Sequence, residues 1–180
     1  MQNVANCKIT GEITARCYDQ SGLSLLEKIW NRIVRGFKLP FSLYILGSEK
    51  WNDYHKNVIA NVGFEAVGQI LTGAYADTGE VNYMALGTGS TAPSVSDTEL
   101  DTETYRNATF SGTTAGNITY ITAVYTEAEV SGTFNEFGNF IDGAAGANTG
   151  VLWSHILTGG WVKTVVDVLV VDCKYTFTSS

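Results

Sequence analysis

The chain has 180 residues, of which 44% are hydrophobic, 12% aromatic and only 16% charged, and its 11 Lys/Arg against 18 Asp/Glu leave a formal net charge of −7. That length suits one ordinary domain with a core large enough to need no disulfide or metal, and two prolines beside that apolar content exclude intrinsic disorder. No apolar run reaches the roughly 18 residues of a membrane helix, Met1-Gln2-Asn3-Val4 lacks the basic and apolar regions of a secretion signal, and the acidic balance gives no support to nucleic-acid binding.

Alternating Ile9, Ile13 and Ala15, with Lys8, Thr14 and Arg16 on the other parity, predict a strand over 8–18. Asp19-Gln20-Ser21-Gly22 is turn material. Leu26, Ile29, Trp30, Ile33, Val34 and Phe37 recur every three or four residues and predict a short amphipathic helix, although Ile29 to Arg35 also fits a strand. Gly36 and Pro40 end it, and Phe41 to Leu46 reads as a strand. A long helix is expected next, capped by Ser48 and striped by Tyr54, Val58, Val62, Ala66 and Ile70, with Gly73 as its stop. Gly63 and Gly68 on that helix imply close approach by a sheet.

From about residue 80 the pattern becomes one of short strands: 81–86, 105–111, 117–126, 133–141, 151–157 and 161–177, with a polar loop over 90–99. The last is too long for an ordinary strand and is expected to bend, bulge or split. The fold expected is mainly β, an antiparallel β-sandwich with one packed amphipathic helix and a small mixed N-terminal segment.

The charge divides unevenly. Residues 1–56 hold 8 Lys/Arg and 5 Asp/Glu, net +3, whereas 57–180 hold 3 and 13, net −10. This suggests an N-terminal docking or assembly segment, 1–56, joined to a helix-plus-sandwich domain, 57–180. Cys7, Cys17 and Cys173 are odd in number and lie far apart, so buried thiols are expected rather than a zinc site.

Candidate chemistry is sparse. Gly87-Thr88-Gly89 lacks the rest of a phosphate loop. Asp97, Glu99, Asp101 and Glu103 alternate, which raises calcium, but they lack EF-hand spacing. Ser154 and His155 are strand neighbours and point to opposite faces. Neither a catalytic constellation nor a cofactor motif is present, so a non-enzyme without cofactor or metal is expected. Trp51, Trp153 and Trp161, with the tyrosines, could build a sugar-stacking surface, and Trp153 and Trp161 are the leading candidates for an interface or glycan contact.

One ordered set of motifs resembles tailed-bacteriophage virion structural proteins. It comprises Ala85-Leu86-Gly87-Thr88-Gly89, Ala92-Pro93-Ser94, Asp97-Thr98-Glu99-Leu100 and the pair Glu103 and Arg106. Asn57-Val58-Ile59-Ala60-Asn61-Val62-Gly63 precedes them, Glu136-Phe137-Gly138-Asn139-Phe140 follows, and Lys163-Thr164 introduces the last strand. Asn139 stands where Leu is more usual. The resemblance covers about 57–177. It implies an oligomeric tail-tip, baseplate or fibre-adaptor component, made in the host cytoplasm and built into the virion as a trimer or ring with other virion proteins. Capsid decoration or a neck position is the near alternative, and a carbohydrate-binding adhesion module touching a host-surface glycan is the more distant one. The motif residues Asn57, Gly63, Gly87, Gly89, Glu103, Arg106, Glu136, Phe137 and Gly138 are expected to be structural, with Glu136 meeting either a turn backbone or Arg106.

Overall fold

The computed structural model describes residues 7–36, 43–109, 111–127 and 129–179. Strand β1 (Cys7–Asp19) follows the predicted alternation, burying Ile13, Ala15 and Cys17. Helix α1 (Leu25–Gly36) also forms where the three–four spacing placed it, with Phe37 and Pro40 outside the described residues. It opens on a capping box: Ser24 Oγ accepts from the Glu27 N–H at 3.4 Å, and the Glu27 carboxylate accepts from the Ser24 N–H at 2.8 Å. Of the strand expected over 41–46, Phe41 and Ser42 lie outside the described residues, and Leu43 to Leu46 form no strand.

Residues 48–56 correct the sequence reading. They form strand β2 (Ser48–Lys56), not the first half of a helix. Tyr54 and Val58 are four apart, and residues four apart share a face in a strand as well as in a helix. β1 settles the choice by pairing with β2 from Glu12–Lys56 to Asp19–Ser48. The helix itself, α2 (Asn61–Thr72), starts only after the short strand β3 (Val58–Ile59) and ends at Gly73, whose φ of 70° needs the freedom of glycine.

Beyond α2 run β4 (Val81–Gly87), β5 (Glu103–Ala108), β6 (Ser111–Ala115), β7 (Ile118–Tyr125), β8 (Gly132–Ile141), β9 (Val151–Lys163) and β10 (Asp167–Ser179). The expected final strand does split, at Thr164–Val166, and its first residues continue β9. β6 is fully exposed, so no apolar alternation marks it.

The strands make two antiparallel five-stranded sheets, A in the order β2-β1-β10-β7-β6 and B in the order β3-β9-β8-β4-β5. This is the expected β-sandwich. The boundary expected at residue 56 does not divide the chain into separate bodies, because β1 lies inside sheet A and pairs with β10 over its whole length. The chain passes from sheet A to sheet B at Asn57, whose N–H donates to Gly11 O. A Cβ on Gly11 would lie 2.0 Å from Asn57 Oδ1, so the glycine makes room for this corner.

The core between the sheets gathers Ile13, Ala15, Ala123, Tyr125, Leu169 and Val171 from A with Met84, Leu86, Phe137, Ile156 and Trp161 from B. Asn139, the departure from the resembled pattern, is buried there with its own partners: its amide donates to Ser154 Oγ at 3.0 Å and to the Tyr175 hydroxyl. Cys17 and Cys173 are buried free thiols, and desolvation pushes their pKa values up to about 11 and about 12. α1 sets Val34 against Tyr18, Val124, Val168 and Val170 on the outer face of sheet A. α2 lies along β9, where Gly63 admits it: a Cβ there would meet Trp153 Cε3 at 2.8 Å.

Candidate functional site

The motif residues converge on the outer face of sheet B. Glu136 and Gly138 of β8 share that face with Ala85 and Gly87 of β4 and Arg106 of β5. The loop 88–102 lies over it, with Leu100 packed on Ala85, Phe140 and Leu152. Gly138 makes this possible, since a Cβ would meet Leu100 Cδ2 at 2.8 Å.

Glu136 fastens the loop. Its carboxylate is fully buried; Oε1 accepts the N–H groups of Gly89 at 3.0 Å and Thr102 at 2.7 Å, and Oε2 accepts that of Asp101 at 2.9 Å. His155 Nε2 stands 3.2 Å from Oε2, outside hydrogen-bond alignment. A buried carboxylate is tolerated only with such a shell, and three orphan loop amides are satisfied by one side chain. Cβ atoms on Gly87 and Gly89 would come within 2.3 and 2.5 Å of Oε1, so both glycines exist to admit the carboxylate. His155 reaches the loop as well, with Nδ1 2.9 Å from Asp97 Oδ2, while Asp97 accepts the Ser94 N–H at 2.8 Å.

Arg106 does not meet Glu136. It grips Glu103 through Nε–Oε1 at 2.6 Å and Nη2–Oε2 at 2.7 Å, both side chains being buried. Nη1 donates to the Ala144 and Thr149 carbonyls, each at 3.0 Å, and the guanidinium lies 4.5 Å from the Phe140 ring centroid. Glu103 in turn accepts the Asn148 N–H at 2.8 Å. This pair therefore ties down the 142–150 loop as Glu136 ties down 88–102.

Of the four acidic residues of 97–103, Asp97, Glu99 and Asp101 line one open pocket with His155, but the Asp97 and Asp101 carboxylates are engaged apart and Glu103 lies outside it. Asp97 faces His155, Asp101 accepts from Thr91 Oγ1 at 2.9 Å, and Glu103 faces Arg106. Among the described residues no group of three or more His, Cys, Asp or Glu is set to hold a metal ion. Ser154 and His155 do point to opposite faces, the hydroxyl inward to Asn139 and the imidazole outward.

The tryptophans depart from expectation. Trp153 and Trp161 are 4% and 3% exposed, so neither offers a ring face to a sugar or a partner. Trp153 packs edge-on against Tyr175 at 5.5 Å, and Trp161 lies 5.7 Å from Phe137. The half-buried Trp51, 6.1 Å from Trp161, lines an open groove of about 280 Å³ with Asn52, Asp53 and Thr158 to Val162. Asp53 accepts from Trp161 Nε1 at 2.9 Å and contacts His55 Nε2 at 2.6 Å. Burial pushes the Asp53 pKa up, but the hydrogen bonds from Trp161 and His55 outweigh it and hold it below the ordinary value.

Sequence reasoning missed the contact of His155 with Asp97, which meet across 58 residues of chain and leave no local signal. Of the three tryptophans it singled out, Trp51 alone is not buried, and it lines an open groove. Comparison with protein-family models, with curated proteins and with solved structures found no match to this chain.

Proposed function

We propose that this protein is a non-enzymatic structural component of a tailed-phage particle, an oligomeric tail-tip, baseplate or fibre-adaptor element. The observation that carries the reading is what the resembled motifs do. Gly87, Gly89, Glu136, Gly138, Glu103 and Arg106 are consumed in fastening two loops to the outside of sheet B, and Asn57 and Gly63 in seating a crossover and a helix. Residues spent on holding loops rigid suit a protein whose surface shape is its function. The exposed apolar residues of α1 and α2 further support a surface meant for neighbours. Capsid decoration or a neck position uses the same module and stands as the near alternative.

The test is the protein's place in an electron-microscopy map of purified particles. Density for the two five-stranded sheets in a ring or trimer on the particle is the expected result. A protein absent from every particle overturns the reading.

The groove beside Trp51 favours a second reading, a glycan contact, because it combines an aromatic ring, a carboxylate and an amide in an open trough. Trp51→Ala abolishing binding on a glycan array, with Trp161 left in place, is its expected signature. No glycan bound by the wild-type protein removes it.

A further inference from the structure

Two helices lay apolar side chains on the surface. On α1, Leu25, Leu26, Ile29, Trp30 and Ile33 are all exposed, Leu26 at 77%. Val34, fully buried, and Asn31, which donates to Ile45 O at 2.7 Å and accepts the Ile45 N–H at 2.8 Å, hold α1 to the body from the other side, and Trp30 at the edge of the stripe donates Nε1–H to Leu43 O at 2.8 Å. The apolar stripe of this helix thus faces away from its own core, the reverse of an ordinary surface helix. On α2, Phe64 and Leu71 are exposed, Leu71 at 82%, with open Gly68 one turn from each. A helix that approaches this face meets no side chain at its middle. α1 lies over sheet A and α2 along β9 of sheet B, and their exposures exclude their covering one another within a copy.

Their charges are complementary. The α1 sequence holds Lys28, Arg32 and Arg35 against Glu27. α2 has no Lys or Arg; its one acid, Glu65, is exposed, and the exposed Asp77 and Glu80 follow shortly after the helix. We infer that the occupant of the α1 stripe is a second copy of this chain, and that α1 of one copy docks on the Phe64–Gly68–Leu71 face of α2 in the next. The contact joins two different surfaces, so it propagates head to tail and closes into a ring or runs on as a filament. It deepens the proposed assembly role by naming the surfaces, and it rests on that role only for where the contact is used.

The experiment is sedimentation of the purified full chain. Wild-type protein self-associates with concentration, and added salt weakens the association. Leu26→Asp with Ile29→Asp on α1 weakens it by about tenfold or more, and so does Leu71→Asp on α2. Both sets replace exposed side chains, and circular dichroism confirms the fold; Leu25→Asp serves if the α1 pair fails it. The decisive arm mixes the two defective proteins. Each retains the surface the other has lost, so the mixture forms a one-to-one dimer and nothing larger. A mixture that stays monomeric overturns head-to-tail docking, as does a wild-type chain that is monomeric at high concentration. A wild-type chain that stays monomeric yet binds phosphatidylserine vesicles through Leu26 and Ile29 transfers the stripe to a lipid surface and overturns the proposal too. None of these outcomes alters the particle-map test, so the two ideas fail separately.

Discussion

The loop 88–102 and helix α1 are both attached to the outside of the sandwich, and they are attached by opposite means. The loop has no regular structure, yet a buried carboxylate takes three of its amides and Leu100 fills the face beneath it. α1 is a regular helix with its own capping box, yet it meets the sheet through Val34 and little else of its apolar surface. Regular secondary structure and attachment to the core are therefore separate properties. A segment without strand or helix is rigid when its backbone groups are satisfied by buried side chains. A helix that turns its apolar stripe outward is completed by something else.

The comparison breaks most visibly at Glu136. Glu136→Ala takes the acceptor from the Gly89, Asp101 and Thr102 N–H groups and empties a buried site, and a loss of about 3–5 kcal/mol is expected in urea unfolding. Exchanging charges in Glu136→Arg with Arg106→Glu rescues nothing, because the two side chains do not meet. A rescued double variant would refute the separate loop clamps.

Arg106→Lys keeps the charge but loses the two-pronged grip on Glu103, the bonds to Ala144 and Thr149 and the stacking on Phe140. It is expected to cost about 2–3 kcal/mol and to raise hydrogen exchange in the 142–150 loop.

Asp167 repeats the carboxylate device at the β9–β10 turn, where it accepts the Thr164 N–H at 2.8 Å and Lys50 Nζ at 2.9 Å while fully buried. Burial pushes its pKa up, but these hydrogen bonds outweigh it and hold the group below its ordinary value. A carboxylate depressed on folding adds stability above its unfolded pKa and loses it as pH falls through the folded one. Its share is therefore present above about pH 4 and disappears on acidification. Asp167→Asn is expected to cost about 1–3 kcal/mol at neutral pH and to flatten the acid limb of the stability profile.

The smallest effects sharpen the other side of the comparison. Leu26→Asp is expected to change the monomer's unfolding free energy by less than about 0.5 kcal/mol. Gly68→Ala, which meets nothing, should stabilise α2 by about 0.5–1 kcal/mol. A large loss from Leu26→Asp in the monomer would mean that α1 is buried in its own chain after all.

Much of the architecture is legible in the residues. β1, α1, the strands from residue 81 onward other than β6, and the helix stop at Gly73 follow from alternation, three–four spacing and glycine placement. β2 is not legible, because Tyr54 and Val58 satisfy both periods and only the free edge of β1 decides between them. The motif glycines stand out in the sequence, but the carboxylate that they admit does not, since Gly87 and Glu136 lie 49 residues apart in sequence and are brought face to face by β4–β8 pairing. Trp153 and Trp161 mislead because an aromatic residue in a strand carries no mark of which sheet will cover it.

The sequence by itself determined that this is a β-sandwich with an acidic body and a basic beginning, because strand periodicity and net charge are local or summed quantities. The tertiary structure alone decided that residues 7–19 and 48–56 belong to sheet A, and that Glu136 and Arg106 serve different loops. It also decided that the apolar stripe of α1 faces outward. Those outcomes depend on which strand edges, amides and faces are left over once the sheets have paired, and no local pattern records what will be left over.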